Sequence, residues 1–205
     1  MPLVIPCRAR STIRRITALT CFAVLASAGT AFAACPAQPL ATPFGQWGDA
    51  NSYFLVPGGS FEGPSDDVGW SLDNASVTSG NESFQVNSSD DSQSLRIDSG
   101  GSATSPYFCV DNTMSSLRFF AQQLDGGSDL HVDALVQRRY RVVVVPLVDL
   151  ADGSMPAWAP TDPIDGGAGA LADARTISVA LRFTAPSATG SWQIDDIFVD
   201  PYRSG

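Results

Sequence analysis

After residue 50 the apolar side chains of this chain recur at every second position in short runs, and clusters of Gly, Ser, Asn, Asp and Pro separate the runs. A two-residue period puts alternate side chains on opposite faces of a strand, whereas a helix needs a repeat near 3.6. Helical periodicity is nearly absent beyond residue 33, which confines the chain to all-β architectures. Candidate strands are 52–56, 70–72, 75–78, 83–86, 94–97, 107–110, 117–122, 129–137, 139–145, 176–184 and 191–200. Turn signals stand at Pro57-Gly58-Gly59, Ser79-Gly80-Asn81, Ser99-Gly100-Gly101 and Asp125-Gly126-Gly127. In the longer strands one face is apolar: Leu117, Phe119 and Ala121, then Leu130, Val132, Ala134 and Val136, then Ile177, Val179, Leu181 and Phe183. One apolar face per strand predicts two packed antiparallel sheets, a β-sandwich, with these sets as its core. The stretch 149–174 is rich in Pro, Gly and Asp and has no period, so it is expected to be a long surface excursion.

The first 33 residues are laid out as a secretory signal. Arg8, Arg10, Arg14 and Arg15 precede the apolar run 16–28, and Ala31-Phe32-Ala33 supplies a small-x-small cleavage site. Arg14-Arg15 also suggests twin-arginine export, although Ile13 stands where that signal has a hydroxyl residue. Residues 34–205 are expected to form one domain, secreted or held in the cell envelope, and no later run approaches the roughly 20 apolar residues of a membrane helix. All 21 acidic residues fall in that part, against eight of the 12 arginines and no lysine, a formal charge of −13. Such a surface repels phosphate backbones and anionic headgroups, which argues against nucleic acid and leaves neutral ligands and cations. With Cys7 and Cys21 in the signal, Cys35 and Cys109 remain as an even pair, expected to form one disulfide in an oxidising compartment. The alternative takes Phe32-Ala33-Ala34-Cys35 as a lipobox, with Cys35 as a lipid-bearing N-terminus. Asn74, Asn81 and Asn87 each open a glycosylation sequon.

Two acidic patches stand in apolar surroundings: Gly58-Gly59-Ser60-Phe61-Glu62-Gly63, and Trp192-Gln193-Ile194-Asp195-Asp196-Ile197. If the two ends of the domain are neighbours in a jelly roll, Glu62, Asp195 and Asp196 share one site. Adjacent carboxylates beside an apolar core are costly unless a cation compensates. Calcium would do so, drawing also on carbonyls of the Gly-rich turn around Ser60. The competing reading leaves Asp195 and Asp196 solvated at a bulge, and both stay open on spacing alone.

Gly59-Ser60-Phe61-Glu62-Gly63 with Gly69-Trp70, then Ser94-Leu95-Arg96-Ile97, then Trp192-Gln193-Ile194-Asp195-Asp196-Ile197, resembles the opening, middle and closing signatures of the galactose-binding-like jelly rolls. That is the fold of several carbohydrate-binding module families. The resemblance implies a structural calcium site with Glu62 and Asp196 as leading side-chain ligands, Asp195 behind them and Ser60 in the same turn. It also implies glycan or cell-wall polysaccharide as partner. The Pro201-Tyr202 tail and the 149–174 excursion depart from that family's pattern and resemble small exported proteins of unknown role that share this ending.

A sugar-binding face needs aromatic rings to stack on pyranose C–H groups beside hydrogen-bonding side chains. The outward strand positions Arg118, Phe120, His131, Asp133 and Tyr140 are expected to line a shallow groove, and Trp158, stiffened by Pro156 and Pro160, to form a loop platform. Ordinary packing is the competing role for each ring. His131 is the single histidine, no Ser or Cys sits in a nucleophile motif, and zinc lacks ligands. Carboxylate pairs for glycoside hydrolysis abound without any being singled out. The expectation is therefore a non-catalytic binding domain. The alternative is an envelope or protein-interaction sandwich.

Overall fold

The structure, a computed structural model, describes residues 35–63, 69–111, 116–166 and 176–201. The expected signal at 1–33, the excursion from 167 onward and Tyr202 lie outside the described residues. The strands are β1 Phe54–Leu55, β2 Ser71–Ser79, β3 Gln93–Thr104, β4 Phe108–Asp111, β5 Ser116–Asp125, β6 Leu130–Arg138, β7 Arg141–Leu150, β8 Ala159–Pro160, β9 Ile164–Asp165, β10 Thr176–Thr184 and β11 Ser191–Asp200. All pairings are antiparallel, along a path β7-β6-β10-β3-β11-β5-β8.

That path doubles over at β3. Leu95 and Ile97 pair with Ile194 and Trp192 of β11, whereas Ser102 and Thr104 pair with Thr184 and Arg182 of β10. β2 runs along the opposite edge through both halves. Because one edge of β3 serves two strands, the strands diverge into two layers: β11 and β5 with β1, β8 and β9 in one, β10, β6 and β7 with β4 in the other. The bend falls at Gly100 and Gly101. A Cβ on Gly101 would stand 2.3 Å from the Asn74 carbonyl oxygen and 2.8 Å from that of Asp98. Only glycine fits against the bulge that interrupts β2 at Asn74, whose φ is +46°. The Ser99-Gly100-Gly101 turn signal is therefore a bend within a strand and does not end one.

The expected core sets are buried, and Phe119 of β5 meets Phe183 of β10 edge-on across the layers at 5.1 Å. Burying side chains of this size contributes ~1.5–3 kcal/mol each. Cys35 and Cys109 are disulfide-bonded, as expected, across 74 residues of sequence.

Three expectations need correction. Residues 83–86 form no strand, for reasons given below. The 149–174 excursion is not structureless: its first two residues complete β7, and β8 and β9 pair with the free edge of β5. The outer face of β5 and β11 is not open. Phe44, Tyr53, Phe120 and Phe198 form a second aromatic cluster, joined by Trp47 and Trp158, in which the 41–53 segment covers that face. β11 is consequently buried at every position.

Candidate functional site

Along β11, Trp192 and Ile194 face the core. Relative to β5 the register then slips between Asp195 and Phe198, Asp196 adopts φ +46°, and it is Ile197 that returns inward. The opening segment closes over this bulge. Phe54 pairs with Val199, the Val56 N–H donates to the Ile197 carbonyl at 2.8 Å, and the Ile197 N–H donates to the Gly59 carbonyl at 3.1 Å. The two ends of the domain thus lie side by side.

Asp195 and Asp196 are fully buried. Asp195 is satisfied: one oxygen accepts the Glu82 N–H at 3.0 Å and the other the Asp196 N–H at 2.8 Å. Neither carboxylate oxygen of Asp196 has a hydrogen-bond partner. Burial, then repulsion from Asp196 and Glu82, pushes the Asp195 carboxyl up to about 9. Burial, then repulsion from Asp91, Glu82 and Glu62, pushes Asp196 up to about 8, while the backbone N–H of Asn87, nearby but outside hydrogen-bonding geometry, acts in the opposite sense. Glu62 is committed elsewhere, its Oε1 accepting the Ser92 and Gln93 amides at 2.6 Å each. Ser60 is half-buried in the turn between Gly59 and Phe61.

Sequence reasoning missed Glu82 and Asp91. Glu82 is buried, and its carboxylate accepts the amides of Phe84 and Val86, the latter at 2.7 Å, which folds 82–86 into a loop where a strand was expected. Its sequence signal was an acid within a sequon in a region without arginine. Among the described residues no three His, Cys, Asp or Glu side chains converge closely enough to enclose an ion by themselves. The two unpartnered oxygens of Asp196 are the side-chain donors that a cation would use here, and the rest of its shell would have to come from backbone carbonyls and water.

The ligand-binding residues expected from sequence do not share one groove. Phe120 is fully buried in the aromatic cluster and Arg118 lies beneath the 41–53 segment, because that segment occupies the face on which they were placed. Arg118 donates from Nη1 to Asp49 at 2.7 Å and from Nε to the Thr161 carbonyl at 2.9 Å, with its guanidinium 4.1 Å from the Phe44 ring centre. Asp49 also accepts from the Tyr53 hydroxyl at 2.6 Å. Burial works to raise the Asp49 carboxyl, yet the hydrogen bonds from Tyr53, Arg118 and Asn51 hold it below its ordinary value. Burial and that same carboxylate push the Tyr53 hydroxyl up to about 12.

Arg118 and Asp49 line a cleft of about 510 Å³ whose walls are Trp47, Pro160 and Pro163, with Asp162 at its side. Trp47 is fixed against Phe84 and Phe120, at 5.0 and 5.5 Å between ring centres. Trp158, the expected platform, is half-buried against the same cluster.

His131 and Asp133 stand on the outer face of the other layer. There Asp149, His131, Thr184 and Ser102 form one cross-strand row. Asp149 accepts from His131 Nδ1, and Asp133 pairs with Arg182 at 2.7 Å, so the groove between them is polar and without an aromatic wall. Tyr140 sits apart at the β6–β7 turn.

No family model matches the chain and no curated protein matches it. Among solved structures, the chain is similar to the CBM22-1 xylan-binding domain from Paenibacillus barcinonensis Xyn10C at 12% identity and a TM-score of 0.47, covering 71% of this chain and 93% of that one. It is similar to the family 16 carbohydrate-binding module-2 at 11% identity and 0.46, covering 71% and 98%. It is also similar to TmCBM61, solved with β-1,4-galactotriose, at 11% and 0.37, covering 71% and 99%.

Proposed function

We propose that this is an exported, non-catalytic carbohydrate-binding domain whose ligand enters the Trp47 cleft, and that a calcium ion at Asp196 stabilises the scaffold. The Trp47 cleft carries the reading. It offers one rigid aromatic wall for a pyranose face. Beside it are the Arg118 guanidinium, oriented by Asp49 and Thr161, and the carboxylates Asp49 and Asp162 to accept sugar hydroxyls. The volume suits a small ligand or one or two units of a polymer. Export is supported by the N-terminal signal pattern and by a disulfide of the kind that persists in oxidising compartments.

For the ion, the support is the unpartnered, buried carboxylate of Asp196 with Glu62, Glu82, Asp91 and Asp195 around it. Asp196 would be the leading side-chain ligand, calcium supplying the positive charge that this acidic pocket lacks. Glu62 and Asp195 would act from behind through the amides they hold, with the Ser60 turn available for carbonyl ligands.

The test is a glycan array probed with the domain and its Trp47→Ala variant. Binding to a defined set of neutral glycans, lost in a variant that still unfolds cooperatively above the assay temperature although its packing on Phe84 and Phe120 is gone, is the expected result. Silence of the unaltered domain across the array would transfer the preference to an envelope or protein-interaction sandwich.

A further inference from the structure

The two acids of the Trp47 cleft differ in what surrounds them. Asp49 is matched by Arg118, in an ion pair of 2.7 Å whose side chains are only 12% and 6% exposed. The guanidinium is further engaged by the Thr161 carbonyl and covered by the Phe44 ring. That pair is electrically closed, and a ligand in the cleft meets little of its charge. Asp162 is the opposite case. It is exposed at the side of the cleft and, among the described residues, has neither a hydrogen bond nor an ion pair. Arg118 is the one cation among the described residues that line the cleft, so the charge of Asp162 is left over.

Asp162 is nevertheless held in place. It lies on the connection from β8 to β9, both of which pair with β5. Before it, the buried Thr161 donates its N–H to the Phe119 carbonyl at 2.9 Å. After it, Pro163 restricts the residue it follows to extended backbone. The carboxylate therefore starts from a fixed point beside the Trp47 wall, and a ligand that meets it orders only its own rotamers. The other lining residues, Gly48, Ala159, Pro160 and Pro163, add apolar surface that suits the C–H face of a ring.

Such a cleft sorts rings by charge. A uronic acid would meet Asp162 with like charge, and the acid excess of the whole domain would repel it. A neutral unit gains hydrogen bonds alone. A unit with a protonated amine brings both donors and the opposite charge to a carboxylate that can only accept. We infer that the Trp47 cleft selects a pyranose carrying a free amino group, as in a glucosamine polymer, with its ring on Trp47 and its ammonium on Asp162. The inference rests on the reading of this cleft as the glycan site and adds the class of glycan it prefers. Neutral units bind the same wall more weakly.

The experiment is titration calorimetry of the disulfide-bonded domain with a glucosamine tetramer, its N-acetylated counterpart and cellotetraose. At low salt the glucosamine tetramer should bind about fivefold or more tightly than cellotetraose, the scale of one exposed ion pair beside an aromatic ring. Rising salt should shrink that ratio, and the N-acetylated tetramer, without the charge, should not show it. D162N should bring the ratio to about twofold or less. Because Asp162 has no hydrogen bond to lose among the described residues, D162N should melt as the unaltered domain does. D73N makes the same charge change at an exposed position of β2 and should leave the ratio unchanged. Trp47→Ala should lose both ligands. A ratio near unity, a ratio that survives D162N, or a ratio that falls equally in D73N would each overturn the inference, the last by assigning the preference to the acidic surface as a whole. Cellotetraose bound through Trp47 without that preference would leave the first reading standing. Silence toward all three ligands would do the same if the array shows another neutral glycan bound through Trp47, and would otherwise overturn both.

Discussion

At the residue scale the molecule is dominated by Asp196, a buried carboxylate with no hydrogen-bond partner. Leaving it charged without a cation is costly, so Asp196→Asn, which keeps the shape and removes the charge, should raise the melting temperature in chelator and abolish the rise that the proposed calcium site predicts for the unaltered domain. Calorimetry with and without calcium reads both effects, and an Asn variant that still responds to calcium would remove Asp196 from the ion's shell. The same residues set a pH dependence. In the unfolded chain Asp195 and Asp196 ionise near the ordinary value of about 3.9, whereas folded they ionise at about 9 and about 8. Between those limits the folded state holds protons that the unfolded state has released, so stability should fall as pH rises from about 4 toward 9. Melting curves in chelator should show that decline and calcium should flatten it. A pH-independent melting temperature in chelator would contradict the burial of the pair. The doublet itself stood out in the sequence, but its partners Glu82 and Asp91 did not, since 113 residues separate Glu82 from Asp195 and no local pattern joins them.

At the scale of elements, strands with one apolar face were legible because alternation records burial directly. The range 191–200 was recovered in full, and the inward sets of β5, β6 and β10 are all buried. What alternation cannot report is a strand bending without ending, as β3 does at Gly100 and Gly101, or a side chain overriding a strand pattern, as Glu82 does by gathering the amides of Phe84 and Val86. Two substitutions separate these effects. Gly101→Ala forces a Cβ against backbone oxygens at 2.3 and 2.8 Å and should destabilise by about 1–3 kcal/mol in denaturant unfolding. Glu82→Gln keeps the volume but weakens charge-assisted bonds, so amide exchange should quicken at Phe84 and Val86 while β5 and β11 stay protected. Unchanged exchange there would mean that packing, not the carboxylate, holds the loop.

At the scale of the whole molecule, the Cys35–Cys109 bridge closes 74 residues, which in the chain-entropy model restricts the unfolded state by about 4 kcal/mol. Reduction should lower the melting temperature by several degrees or more. Free thiols before reduction would show that the bridge is not formed. Taken alone, the amino-acid order determined the all-β class, the core faces and the cysteine pair, because each is written in near neighbours or in a bare count. The sandwich's closure by its own two ends, the burial of Phe120 and Arg118 under the 41–53 segment, and the separation of Trp47, His131 and Tyr140 into three places were decided only by tertiary structure. Which outward face meets solvent depends on what another part of the chain lays over it, and period-two alternation carries no information about that.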